Sequence, residues 1–305
     1  MRYASPLRYP GGKASLAKFL ANIIELNELC GCPYYEPYAG GAGAALGLLK
    51  QNVVSEIHLN DADRRVYAFW LSALRENNRF VDRLHGVPLT IDEWRRQRQI
   101  CAKPSSHSQF DVGFAAFFMN RCNRSGVISG SGPIGGYEQA GRWRLDVRFN
   151  RVALAERILH LTRMRDCIHV SCEDAVVFLK RVLPSGQGRS RVFVYLDPPY
   201  VNNGQRLYLN AYRPEDHAQL ARYLSGQRVL PWIVSYDSSE LVRRLYAQHN
   251  IAYMPIRYTL QEKRADRELI ISPRHLAMPQ TCLAHGRENT SLVVEHERGS
   301  HGDDN

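Results

Sequence analysis

Short apolar runs alternate with stretches of helical periodicity along most of the chain, the pattern of an α/β sheet with largely parallel strands. The runs at 34–37, 56–61, 168–172, 192–197, 231–236, 251–258 and 268–272 predict strands. Apolar residues spaced three and four apart predict helices over 14–28, 44–51, 63–77, 174–183, 214–224 and 238–248. Asp237, with Glu240 three residues on, reads as a capping box for the last of them. The rhythm stops between about 78 and 165, where Trp94, Arg95, Arg96, Arg98 and a Gly, Ser and Asn-rich stretch replace it. That segment reads as an insertion, 78–165, in a sheet domain built from 1–77 and 166–276. The polar end, 277–305, reads as a disordered tail.

Composition adds little about the fold and more about the partner. At 305 residues, 44% hydrophobic and 23% charged, the chain can form one folded unit with an inserted module. Its formal charge is +10, which favours a polyanionic partner. Sixteen basic residues, fifteen of them Arg, face eight acidic ones over 75–165, so +8 of that charge lies in the insertion. Arginine's planar fork suits phosphate and guanine. The seven cysteines are scattered and follow no secretory leader, which points to a reduced, cytoplasmic setting. Cys30 and Cys32 are the only close pair and lack the second half of a zinc site, so no metal is expected. No apolar run approaches the ~20 residues that span a membrane.

Three motifs carry chemistry. The strand at 192–197 runs into Asp197-Pro198-Pro199-Tyr200, which puts the tetrad at the carboxyl edge of the sheet, where open α/β sheets bind ligands. A rigid turn would explain the prolines but leave Asp197 and Tyr200 idle. An exocyclic aromatic amine is a poor nucleophile while its lone pair is delocalised into the ring. Hydrogen-bond acceptors for its N–H groups localise that pair, and the Asp197 carboxylate and the Pro198 carbonyl supply two, with Tyr200 stacked on the base. The second motif, Glu36-Pro37-Tyr38-Ala39-Gly40-Gly41-Ala42-Gly43, is a strand entering a glycine-rich turn, a place for backbone to approach a cofactor. Leu46 stands where a dinucleotide fingerprint needs its third glycine. About twenty residues on, Asp61 ends the next strand, where a carboxylate holds ribose hydroxyls or caps the following helix. The third, Tyr9-Pro10-Gly11-Gly12-Lys13, is no P-loop, because Leu7 replaces the first glycine and Ala14 follows the lysine. Lys13 can instead meet a cofactor carboxylate, with Tyr9 packing nearby.

In this order the motifs resemble the Dam-like class of DNA adenine methyltransferases over about 3–272. The resemblance implies an α/β fold, a Rossmann-like S-adenosylmethionine-dependent methyltransferase sheet with an inserted, mostly helical target-recognition region. It implies S-adenosyl-L-methionine as cofactor, double-stranded DNA as substrate, a monomer, and room for a cognate restriction endonuclease. Tyr9, Lys13, Glu36, Pro37, Gly40, Asp61, Asp174 and Asp197 then look like cofactor contacts, with Asp61 on the ribose and Asp174 on the cofactor's adenine. Asp174 also fits the N-terminus of its helix. Asp197, Pro198, Pro199 and Tyr200 form the expected catalytic set. Within the insertion, Asn120, Arg121, Asn123 and Arg124 lie in a stretch similar to one that meets DNA in relatives, and 264–271 resembles the closing strand. Tyr38 replaces a common Phe. Two other readings stand beside adenine methylation: transfer to a cytosine or RNA amine, and a catalytically silent DNA-binding relative. Relatives acting on cytosine usually carry Ser at the position of Asp197.

Overall fold

The computed structural model describes residues 5–8, 16–201, 212–253 and 268–279. Seven strands form one sheet: β1 (Cys32–Glu36), β2 (Val54–Asn60), β3 (Ile168–Ser171), β4 (Phe193–Leu196), β5 (Trp232–Tyr236), β6 (Asn250–Tyr253) and β7 (Leu269–Ser272). Their order is β3-β2-β1-β4-β5-β7-β6. All neighbouring pairs are parallel except those of β7, which runs antiparallel to both β5 and β6. Each predicted strand is present, with β3, β4, β5 and β7 a residue or two shorter and β1 and β2 starting two residues earlier. Residues 254–258 of the sixth predicted strand, and 264–267 of the segment that resembles the closing strand, lie outside the described residues.

Residues alternate between the two faces of the sheet, and β1, β4, β5 and β7 feed an apolar layer on each face. Tyr34, Ile57, Leu59, Phe193, Tyr195, Ile233 and Ile270 face one core, and Tyr35, Val194, Leu196, Trp232, Val234, Tyr236, Leu269 and Ile271 face the other. The first core is covered by α1 (Leu16–Leu26), α2 (Gly43–Lys50) and α3 (Arg64–Arg75). It continues into four inserted helices, α4 (Asn77–Gly86), α5 (Ile91–Ala102), α6 (Gln109–Cys122) and α7 (Arg151–Thr162). The insertion is therefore helical, as expected, but it shares one core with the sheet. At its centre α6 crosses α3 so closely that a Cβ on Gly113 would lie 2.4 Å from the Ala68 carbonyl oxygen. The second core is covered by α8 (Ala175–Val182), α9 (Pro214–Ser225) and α10 (Glu240–Leu245).

Two boundaries differ from expectation. The N-cap of α10 is Ser239, whose hydroxyl accepts from the Val242 amide; Asp237 is occupied elsewhere, accepting from the Val201 amide at 3.0 Å. The expected tail begins inside ordered contacts, because Ala277 exchanges two hydrogen bonds with the Asn27 side chain. Residues 280–305 lie outside the described residues. No helix among the described residues is long and apolar enough to cross a membrane.

Candidate functional site

The chain lays down β1, moves outward through β2 and β3, then returns past them to β4. Strand order thus reverses between β1 and β4, and the loops leaving their carboxyl ends diverge to open a crevice. Glu36 ends β1, Asn60-Asp61 ends β2, Asp174 follows β3, and Asp197 follows β4. Four acids spread over the sequence meet along one edge of the sheet.

The β1 turn is fixed from several sides. The Trp70 indole donates to the Gly40 carbonyl at 2.9 Å, and the Gly40 amide donates to Asp61 at 2.9 Å. Asn60, fully buried, donates to the Pro37 and Glu173 carbonyls and accepts from the Glu173 amide. It ties the ends of β1, β2 and β3 together. Gly40 and Ala42 sit at φ 45° and 46°, a conformation that suits the glycine and strains the alanine. Glu36 is buried and accepts from the Tyr34 hydroxyl at 3.1 Å. Burial first, then the negative field of Glu36, holds that phenol well above its usual range, so Tyr34 stays a donor.

Asp61 accepts from the Gly40 and Asp63 amides, while Asp63 is the N-cap of α3. Burial, then the neighbouring Asp63 charge, raises the Asp61 carboxyl to about 7. A folded-state value above the unfolded one favours folding at low pH, and that contribution is lost as pH rises through about 7. Relative to wild type, Asp61→Asn is expected to flatten the loss of thermal stability between about pH 4 and 7. Melting curves across that window check it, and an unchanged slope contradicts the assignment.

On the other wall, the Ser235 hydroxyl donates to Asp197 Oδ1 at 2.6 Å, and Tyr195 completes the relay by donating to Ser235 at 2.8 Å. The Tyr200 hydroxyl lies 3.4 Å from the same Asp197 oxygen and donates to Glu268 at 2.6 Å. Pro198 and Pro199 are buried, which sets the direction of the segment, and Asp197 and Tyr200 are half-buried. Asp237 holds Val201 immediately beyond. Ser235, Tyr195 and Glu268 were not singled out from the sequence, and Asp237 was read only as a helix cap. The available signal was faint: a serine in the otherwise apolar strand β5.

Asp174 is exposed and caps α8, accepting from the Val176 and Val177 amides, so its helix-terminal reading is realised. Tyr9 and Lys13 lie outside the described residues. Tyr38 uses its hydroxyl, pairing with Tyr212 at 2.6 Å.

The expected row of DNA contacts is corrected by burial. Asn120 accepts from the Arg8 amide and donates to the Arg8 and Gly126 carbonyls. Arg121 is buried and donates to the Pro6 carbonyl. Asn123 accepts from the Trp94 indole and donates to the Val127 and Ile128 carbonyls. These three side chains are spent inside the protein, leaving Arg124 exposed. Arg124 is joined on the surface by Arg142, Arg144 and Arg148, and by the exposed Tyr137 and Trp143. One hydrogen-bonded loop cluster carries them, with Arg124 bonded to Gly132, Ile134 to Cys122, and Leu145 to Gln139. Among the described residues these four arginines form no ion pair, whereas Arg79, Arg83, Arg95 and Arg96 are neutralised by Glu76, Asp111, Asp92 and Glu93.

The donor set indicates what the crevice accepts. Carboxylates at four strand ends would repel a polyphosphate and suit a ligand with hydroxyls, amines and positive charge. S-adenosylmethionine, with a ribose, a sulfonium and an ammonium, fits that set.

The family model for D12 class N6 adenine-specific DNA methyltransferases matches residues 9–260. Among solved structures, SMU.472, a candidate methyltransferase complexed with SAH, is similar at 9% identity with a TM-score of 0.37, over 90% of this chain and 56% of that one. The chain thus spans little more than half the length of that structure. No curated protein matches the sequence.

Proposed function

The chain belongs to the D12 class of N6 adenine-specific DNA methyltransferases, and from that premise we propose that it moves the methyl group of S-adenosylmethionine to the 6-amino group of an adenine in double-stranded DNA. The observation that carries the reading is the Ser235-anchored Asp197 carboxylate at the end of β4, beside the crevice between β1 and β4. When bound, the cofactor supplies an electrophilic methyl on a sulfonium. Glu36, Pro37, Gly40, Asp61 and Asp174, with Tyr9 and Lys13, would hold it.

The target base is out of reach inside a duplex and must be flipped into the crevice. Asp197 and the Pro198 carbonyl then accept its two amine hydrogens, turning the nitrogen lone pair toward the methyl group. Tyr200 stacks on the base. With the cofactor held in the crevice, the amine would displace the methyl group directly and in line, the sulfur leaving as a thioether with the C–S bonding pair and the surplus amine proton passing to solvent, with no covalent enzyme intermediate.

The segment 78–165 provides the DNA-facing surface, through Arg124, Arg142, Arg144 and Arg148. The double variant Arg142→Gln, Arg144→Gln should weaken binding to all sequences alike and reduce the slope of log affinity against log salt by about 2. Titrations at several salt concentrations measure this, and an unchanged slope removes these arginines from the interface.

Labelled methyl groups transferred to DNA and RNA, followed by nucleoside chromatography, test the reading. Label in N6-methyladenine from DNA is expected, and label in methylcytosine or only in RNA would sink it.

A further inference from the structure

Away from the crevice, three potential metal ligands from two strands meet at the β2–β3 edge of the sheet. His58 and His169 stand directly opposite each other in the parallel β2–β3 register. Their rings stack at 4.5 Å and 25°, and Tyr35 of β1 stacks on the other side of His58 at 4.4 Å and 10°. Glu56, two residues before His58 and so on the same face, reaches both rings. One of its oxygens lies 3.0 Å from His58 Nε2 and the other 3.2 Å from His169 Nε2. The three ligand atoms all fall within 4.8 Å of one another.

We propose that Glu56, His58 and His169 bind one divalent transition-metal ion of the zinc class, with the remaining coordination position open to water. Bonds of about 2.1 Å to imidazole nitrogen and carboxylate oxygen place tetrahedral ligand atoms about 3.4 Å apart, close to the Glu56–histidine distances already present. In the metal-free arrangement each histidine shares a proton with the carboxylate, and a cation replaces what those protons do. The His58 side chain is half-buried and presents Nε2 to the carboxylate at 3.0 Å. Tyr35 and the strand register fix its ring plane before any metal arrives. His169 and Glu56 are partly exposed, which gives the ion an entry path. The nearby cation Arg181 is held on Glu173 and Ser171. All three ligands are hard or borderline donors without thiolate, which favours zinc, nickel or cobalt over copper(I).

Because β3 is the edge strand by which the chain re-enters the sheet after the insertion, the ion would fasten that return to β2. Its expected consequence is stabilisation, independent of methyl transfer. The full chain, stripped with chelator and desalted, is titrated with zinc chloride by calorimetry and with cobalt chloride by visible absorption. One equivalent of zinc should bind and raise Tm by at least about 3 °C at a hundredfold excess over Kd. The cobalt complex should show ligand-field bands without thiolate charge transfer. His169→Gln and Glu56→Gln, both at partly exposed positions, should each weaken binding tenfold or more while leaving the metal-free Tm nearly unchanged. Absence of one-equivalent binding, binding unaltered in both variants, or a thiolate charge-transfer band would overturn the assignment.

Discussion

Asp197→Ala is expected to lower methyl transfer to DNA by about 10³-fold or more while DNA affinity stays within about twofold of wild type. On the proposed mechanism the variant removes the carboxylate that accepts from the target amine, and that acceptor matters most as positive charge develops on nitrogen. The same proposal assigns binding to arginines of the insertion rather than to the tetrad, so the two properties should separate. Ser235→Ala should show a smaller loss, because it leaves the carboxylate in place and removes the 2.6 Å hydrogen bond that orients it. Single-turnover transfer measured beside DNA binding checks both variants. Equal loss of binding and transfer by Asp197→Ala would instead place Asp197 in the DNA interface.

The second large effect lies outside the crevice. Asn120→Ala removes three hydrogen bonds at a fully buried position and strands the Arg8 amide and the Arg8 and Gly126 carbonyls. Unmet buried groups cost about 1–3 kcal/mol each, partly relieved by relaxation, so a loss of about 3 kcal/mol is expected. Cofactor affinity should fall with it. Asn120 pins the backbone of Arg8, the residue before the Tyr9 to Lys13 motif, and Gly126 closes the other side, where an added Cβ would lie 2.8 Å from the Arg8 carbonyl oxygen. Gly126 also holds φ 77°, so Gly126→Ala should reproduce the phenotype. Denaturant melts and cofactor titrations distinguish this from a DNA-contact role, which predicts unchanged stability and weakened DNA binding.

Asn120 also marks where sequence reasoning reached its limit. The helix that contains it reads Gly113-Phe114-Ala115-Ala116-Phe117-Phe118-Met119, apolar on every side, and such a helix is buried all round. Polar residues continuing that helix inherit its burial, yet they resemble a DNA-reading row when considered as a motif. The partner of Asn120 lies 112 residues earlier, and nothing local announces it. Glu56, His58 and His169 pose the same difficulty: Glu56 and His169 are 113 positions apart and meet only through parallel pairing of β2 with β3.

The sheet itself was more legible. Short apolar runs located all seven strands of the described residues, and Asp197-Pro198-Pro199-Tyr200 fell at a strand end because two prolines terminate β4. Asp237 was visible as a candidate cap, but its carboxylate goes to Val201 while Ser239 caps the helix. A choice between two neighbouring cap residues depends on what else each can reach, and that is a tertiary question. Likewise, the arginine excess of the insertion pointed to DNA, whereas deciding which arginines are neutralised within the protein required coordinates.

Modification-sensitive sequencing of DNA from cells expressing the chain, alongside cells expressing Asp197→Ala, tests the central claim most directly. The account predicts N6-methyladenine at one recurring sequence word, lost in the variant. Methylated cytosine, or the same adenine methylation persisting in Asp197→Ala, would contradict it.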